Sequence, residues 1–170
     1  PGQRVLILAA AGGVGHLALQ LAKWKGAWVA GTASKGNHDW LQQLGCDQPI
    51  DYHQQQVGEA LEGIDLIVDC VGGTTAIEAL PCLKQDGVMV TLPSVTAAEV
   101  AEAASAINRK AIAVRVTPNG EQLKQLTQLA AEGTVQLQLD SSFPLAEAAE
   151  AHRRSQQGHA RGKIILKMDA

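Results

Sequence analysis

The hydrophobic pattern changes period within the first two dozen residues. Residues 5–9 form an unbroken apolar run, the pattern of a strand buried on both faces. Residues 10–13 are all small. Val14, Leu17, Ala18 and Leu21 then recur at helical spacing, with Gln20 and Lys23 on the opposite side. Strand, small-residue turn and helix are therefore predicted in that order. The alternation continues, with strands predicted at 28–33, 48–52, 64–71, 88–92 and 111–116. Helices are predicted at 38–44, 54–61, from Thr74 or Thr75 to 83, from Thr96 to 107, and at 121–132 with Leu123, Leu126 and Leu129 inward. Asn37 is a candidate helix cap and Gly45 a helix stop. Asp86-Gly87 reads as the turn into the fifth strand, which Pro93 ends.

Strands that alternate with helices predict an α/β fold with a doubly wound parallel sheet, here six-stranded and in three layers, of Rossmann type. The expected strand order is 3-2-1-4-5-6 with right-handed crossovers. The last forty residues behave differently. Val135, Leu137 and Leu139 alternate with Gln136 and Gln138, as in a half-buried strand over 134–139. A helix at 146–157 and a strand at 163–167 complete a C-terminal strand-helix-strand segment. The expected division is a dinucleotide-binding domain over 1–133 and a segment over 134–170 that returns to a second domain.

The chemistry concentrates at the first turn. Its spacing is Ala10-x-Gly12-x-x-Gly15, with alanine in place of the first glycine of the dinucleotide fingerprint. Gly12 allows backbone to approach a pyrophosphate, and Gly15 allows the helix to pack closely on the strand. The amides of Gly13 and Val14 open the helix, where the positive end of its dipole favours an anion. The other reading of such a turn is packing alone. At the end of the second strand, residues 31–37 contain no carboxylate, and Asp39 is the first acid. A site selective for NAD places an acid there to bind the ribose 2′-hydroxyl. Lys35, with the hydroxyls of Thr32 and Ser34, suits a 2′-phosphate instead, so NADP(H) is the expected coenzyme. Lys35 as an ordinary solvated turn residue is the competing reading.

Composition narrows the function classes. Apolar residues make up 46 % of 170, and the formal net charge is −3. No Lys/Arg cluster points to nucleic acid, and glycines interrupt the longest low-charge stretch, so neither a nucleic-acid nor a membrane partner is expected. Cys46, Cys70 and Cys82 are scattered, with no CxxC pair and no histidine at ligand spacing. Reduced thiols in a cytoplasmic protein are the expectation, with no metal ligands in this chain. Asp69, inside an apolar strand, is expected to accept hydrogen bonds from a helix start or a neighbouring loop, and His16 to be a partly exposed helix residue. The chain opens at Pro1-Gly2, as an excised piece of a longer protein would.

Four stretches carry a family likeness. They are Ala9-Ala10-Ala11-Gly12-Gly13-Val14-Gly15 with Ala18, Gln20, Ala22 and Lys23; Leu44-Gly45-Cys46-Asp47 with Ile50-Asp51-Tyr52; Asp65 to Gly73; and Phe143-Pro144-Leu145 with Gly158 to Leu166. Together they resemble the medium-chain dehydrogenase/reductase superfamily, especially its quinone oxidoreductase branch. The resemblance implies hydride transfer between a nicotinamide and a carbonyl, quinone or activated alkene. It also implies an N-terminal GroES-like catalytic domain, to which nothing in this chain corresponds. No catalytic residue is therefore assigned here, and the chain alone is expected to be inactive. Ligands of open α/β sheets lie over the carboxyl ends of the strands. On that basis Ala11, Gly12, Gly13, Val14 and Gly15 would meet the pyrophosphate, and Thr32, Ser34 and Lys35 the adenosine ribose. Tyr52 would lie beside the adenine or a phosphate, or else be a surface residue; Val71, Gly72, Leu92 and Pro93 would lie toward the nicotinamide. Family members pair through the sixth strand, so a homodimer through residues 111–116 is expected. Two other readings stay open: a nucleotide-binding or sensing module without turnover, and the coenzyme domain of a zinc-dependent alcohol dehydrogenase.

Overall fold

A computed structural model describes residues 1–168. Its main sheet has six parallel strands in the order β3-β2-β1-β4-β5-β6. They are β1 (Arg4–Ile7), β2 (Trp28–Ala33), β3 (Gln48–Asp51), β4 (Ile64–Asp69), β5 (Leu83–Thr91) and β6 (Lys110–Ala113). The helices between them are α1 (Gly15–Trp24), α2 (His38–Gln43), α3 (Val57–Ala60), α4 (Gly73–Ala79) and α5 (Ala97–Ala106). The central strand supplies both faces of the core. Leu6 and Leu8 pack on the side of Ile67, Met89 and Val100, while Val5 and Ile7 pack with Leu19, Val29 and Leu41. The continuous apolar run of β1 is thus a record of burial on two sides.

Several boundaries differ from the sequence expectation, each for a physical reason. The Asp86-Gly87 turn lies inside β5, not before it. Gly87 passes so close to β4 that a Cβ there would stand 2.8 Å from the Ile64 carbonyl oxygen. The β4–β5 ladder shifts register between Ile64 and Leu66 beside it. Helix α4 stops at Ala79 because the 3-10 turn Leu80–Cys82, with Pro81 inside it, leads straight into β5. The sixth strand spans Lys110–Ala113, not 111–116. Its ladder ends where Ala113 meets Thr91, the last residue of β5, so residues 114–116 have no neighbouring strand to extend along.

Helix α6 (Gly120–Ala131) buries only Leu129. Leu123 and Leu126, expected inward, are 61 % and 42 % exposed. Asn37 precedes α2 but makes no side-chain cap; Asn119 does cap α6, accepting from the Gln122 amide. Thr96, expected to cap its own helix, instead accepts from the Gly73 amide at the start of α4. In the tail, residues 134–138 are not a strand. The strand is β7 (Leu139–Pro144), joined by α7 (Ala148–Gln156) to β8 (Lys163–Lys167), with which it pairs in parallel. Residues 135–138 run beside α1, where side chains take up the backbone hydrogen bonds a strand partner would have taken.

Asp69 ends β4 fully buried. Its carboxylate accepts from the Val71 and Gly72 amides at 2.9 and 2.8 Å and from the Thr91 hydroxyl at 2.6 Å. It ties the ends of β4 and β5 to the turn that opens α4, the role expected for it. Each buried donor left without an acceptor costs about 1–3 kcal/mol. Asp69→Ala should therefore lower unfolding free energy by about 3 kcal/mol in urea titration, and Asp69→Asn, which keeps an acceptor for the two amides, by roughly half as much.

Candidate functional site

The turn after β1 is built by close approach. Ala9 takes a positive φ of 54°. Its carbonyl accepts from the Gly12 amide at 2.9 Å, folding the chain back sharply. The Ala9 amide donates to the Thr32 hydroxyl at 2.9 Å, and the Ala10 amide to the Thr32 carbonyl, also at 2.9 Å. A Cβ on Gly15 would lie 2.1 Å from the Ala9 carbonyl oxygen, so only glycine fits where α1 crosses the turn. Gly15 is buried, which makes it a packing residue. No side chain caps α1, and the amides of Gly13 and Val14 have no acceptor among the described residues. A bare helix N-terminus with unspent amides suits a phosphate oxygen.

This turn forms one wall of a cleft of about 660 Å³ over the carboxyl ends of the inner strands. Of the residues predicted for the site, Ala11, Gly12, Thr32, Ser34, Tyr52 and Val71 line it. Gly13 lies just outside, against Gly162 and Lys163 of the tail. Gly72 is buried with Pro93 and Thr96 pressed against it. Val14, Gly15, Lys35, Gly72, Leu92 and Pro93 do not border this cleft, which is the end nearer β2 and β3. The Thr32 hydroxyl accepts from the Ala9 amide and so helps hold the turn in place, with its own O–H left to donate. Tyr52 is exposed and stacks beside His53, with ring centroids 4.2 Å apart.

The far wall is one that sequence reasoning missed. Gly158, His159 and Ala160, from the loop before β8, face the turn across the cleft. Next to them Arg161 reaches the loop after β2. Its Nε donates to Asn37 Oδ1 at 2.9 Å, its Nη2 to the Gly36 carbonyl at 3.3 Å, and its guanidinium lies 4.8 Å over the Trp40 ring. Asn37 in turn donates to the Ser34 hydroxyl at 3.1 Å. Exposed Lys35 and half-buried Arg161 thus bring two cations to the end of β2, from positions more than 120 residues apart. The only sequence signal for Arg161 was its place before Gly162 in the tail likeness. His16, expected to be partly exposed, is fully buried under the turn.

The loop carrying Arg161 is itself anchored. Asp140 of β7 accepts from Arg154 Nε and Nη2 at 2.9 and 2.6 Å and from the Arg161 amide at 3.0 Å. Arg154 also donates to the Gly158 carbonyl at 3.0 Å. The Arg154 guanidinium, with these hydrogen bonds, holds the Asp140 carboxyl below its ordinary value of 3.8. Burial pushes the thiols of Cys46, Cys70 and Cys82 up to about 11, so all three stay protonated. Among the described residues no three His, Cys, Asp or Glu side chains converge as a metal site needs. No described helix is long and apolar enough to cross a membrane.

A doubly wound parallel sheet, a glycine turn ending in an uncapped helix and a cleft at the strand ends define a dinucleotide-binding domain. The chain belongs to the zinc-binding dehydrogenase family, whose family model matches residues 44–166. It is 32 % identical to the chloroplast envelope quinone oxidoreductase homolog of Arabidopsis thaliana, over 95 % of this chain and 51 % of that protein. It is 30 % identical to the NADPH-dependent alkenal/one oxidoreductase of the same plant, over 97 % of this chain and 40 % of that one. The solved quinone oxidoreductase of Coxiella burnetii superposes with a TM-score of 0.96 at 42 % identity, over 99 % of this chain and 53 % of that chain. The chain thus spans about half the length of these relatives, as the coenzyme-binding half of a medium-chain dehydrogenase/reductase.

The Asp140 anchor has a defined pH window. A carboxyl whose folded pKa is depressed stabilises the folded state above its unfolded pKa, and that contribution disappears as pH falls through the folded value. The loop 158–161 should therefore keep its amide-exchange protection down to about pH 4 and lose it below. Asp140→Asn should raise exchange there at pH 7 by about tenfold while the six-stranded sheet keeps its protection. Equal exchange in the two proteins would place the anchor elsewhere.

Proposed function

We propose that this chain is the NADP(H)-binding domain of an oxidoreductase that moves hydride between the nicotinamide and a carbonyl, quinone or activated alkene. The coenzyme supplies the hydride chemistry; the chain binds and orients it. Ala11, Gly12 and the amides of Gly13 and Val14 would hold the pyrophosphate. Ser34, Lys35 and Arg161 would hold the ribose 2′-phosphate, Tyr52 the adenine side, and Val71, Gly72, Leu92 and Pro93 the way toward the nicotinamide. One observation carries the choice of NADP(H): no carboxylate stands at the end of β2, and Lys35 and Arg161 do. A 2′-phosphate adds about two negative charges, which these cations attract and an acid would repel. The Arabidopsis alkenal/one oxidoreductase, NADPH-dependent by name, supports the same choice.

The substrate groups would come from the other half of the enzyme, to which the segment from 134 onward would return. The reading as a coenzyme domain of a zinc-dependent alcohol dehydrogenase would need its zinc ligands there as well. β6 is one of the two edge strands of the sheet, with Ile112 exposed along it and Val114 exposed just past its end. We propose that a second copy pairs at this edge, in keeping with the rule that open apolar edges are covered. Ala113→Pro removes an amide from that ladder and should convert dimers to monomers by light scattering.

NADP(H) should bind at least tenfold more tightly than NAD(H), about 1.4 kcal/mol, in calorimetric titration. Lys35→Ala should remove most of that preference and leave NAD(H) affinity nearly unchanged. Equal affinities in the unsubstituted protein would overturn the assignment.

A further inference from the structure

His16 sits in the first turn of α1 with no exposed surface. Its Nδ1 lies 2.8 Å from the Gly12 carbonyl oxygen, and its Nε2 lies 3.3 Å from the Gln138 amide nitrogen. A carbonyl only accepts and a backbone amide only donates. The ring must therefore carry its proton on Nδ1 and present a bare Nε2. Only the neutral imidazole satisfies both bonds, because the imidazolium would turn Nε2 into a second donor aimed at an N–H.

The two bonds close a ring between the glycine turn and the tail. The Gln138 carbonyl accepts from the Lys163 amide at 2.9 Å, and the Gly162 amide donates to the Ala11 carbonyl at 3.0 Å. Gly162 takes a φ of 77°, and a Cβ there would stand 2.2 Å from the Gln138 oxygen, so no other residue fits this joint. One helical turn further on, Gln20 grips Gln136 twice. Its Nε2 donates to the Gln136 carbonyl at 2.9 Å, and its Oε1 accepts from the Gln136 amide at 2.7 Å. Two side chains of α1 thus clasp the tail to the element that opens on the coenzyme.

We propose that His16 is a positioning residue for coenzyme binding: its neutral Nδ1–H tautomer ties the Gly12 carbonyl to Gln138, so the glycine turn keeps its binding shape only while the returning tail is docked. This rests on the coenzyme reading of the cleft. Burial, the largest effect, and the Lys163 ammonium from β8 push the His16 pKa below 6.5, against the opposing bond to Gly12. Trp40 of α2, 6.1 Å away, and the glutamines around the ring bring no charge. Protonation would break the clasp, and the lowered pKa confines that break to pH below the ordinary imidazole range.

The test is NAD(H) affinity of the protein from pH 7.5 down to 4, by calorimetry; NAD(H) lacks the 2′-phosphate, which ionises near pH 6. The comparison is with His16→Gln, whose amide offers both a donor and an acceptor but does not titrate, so that every other group bordering the cleft is common to the two proteins. As pH falls below 6.5 the wild type should lose several-fold more affinity than His16→Gln. His16→Ala should bind roughly tenfold more weakly at pH 7.5, with faster exchange at the Gln138 amide. Superimposable profiles for wild type and His16→Gln, or full affinity in His16→Ala, would overturn the proposal. If the wild type bound no nicotinamide coenzyme, the coenzyme reading and the positioning role would fall together. Unchanged Gln138 exchange in His16→Ala would overturn the clasp independently.

Discussion

Everything in the site depends on how closely α1 crosses the end of β1. The Ala9 carbonyl occupies the space where a Gly15 side chain would stand, and the helix begins there with no side-chain cap. The close crossing leaves the amides of Gly13 and Val14 uncapped at the turn, where an anion can lie against bare backbone. Any side chain at Gly15 would lift the helix and draw those amides away. Thr32 holds the same turn from β2, its hydroxyl accepting from the Ala9 amide.

The tail braces the same turn. Gly162 bonds Ala11, Gln138 bonds His16, and Gln136 bonds Gln20. Arg161 carries the same connection to the loop after β2 and brings a cation with it. The Asp140–Arg154 pair anchors the loop from which Arg161 extends. The C-terminal segment is thus a structural wall of the cleft.

The exposed leucines of α6 mark an unfinished side. Leu123 and Leu126 follow the helical period of an inward face, yet only Leu129 is buried. An amphipathic period records that a face is built to be covered, and by itself does not say by what.

Local pattern alone determined the six strands, their order and the glycine turn, because these follow from apolar period, small-residue spacing and the handedness of crossovers. The short-range acceptor role of Asp69 was legible for the same reason, since its amide partners lie two and three residues away. The missing acid after β2 was equally plain, because a charge at a strand end needs no tertiary information to count. Tertiary structure alone decided which polar groups meet across the chain. His16 and Gln138 are separated by 122 residues and Arg161 and Asn37 by 124, and nothing in the period of either segment encodes the meeting. It decided, too, that residues 134–138 forgo a strand, since their alternation specifies a face but not a partner, and the side chains of α1 took up their backbone bonds.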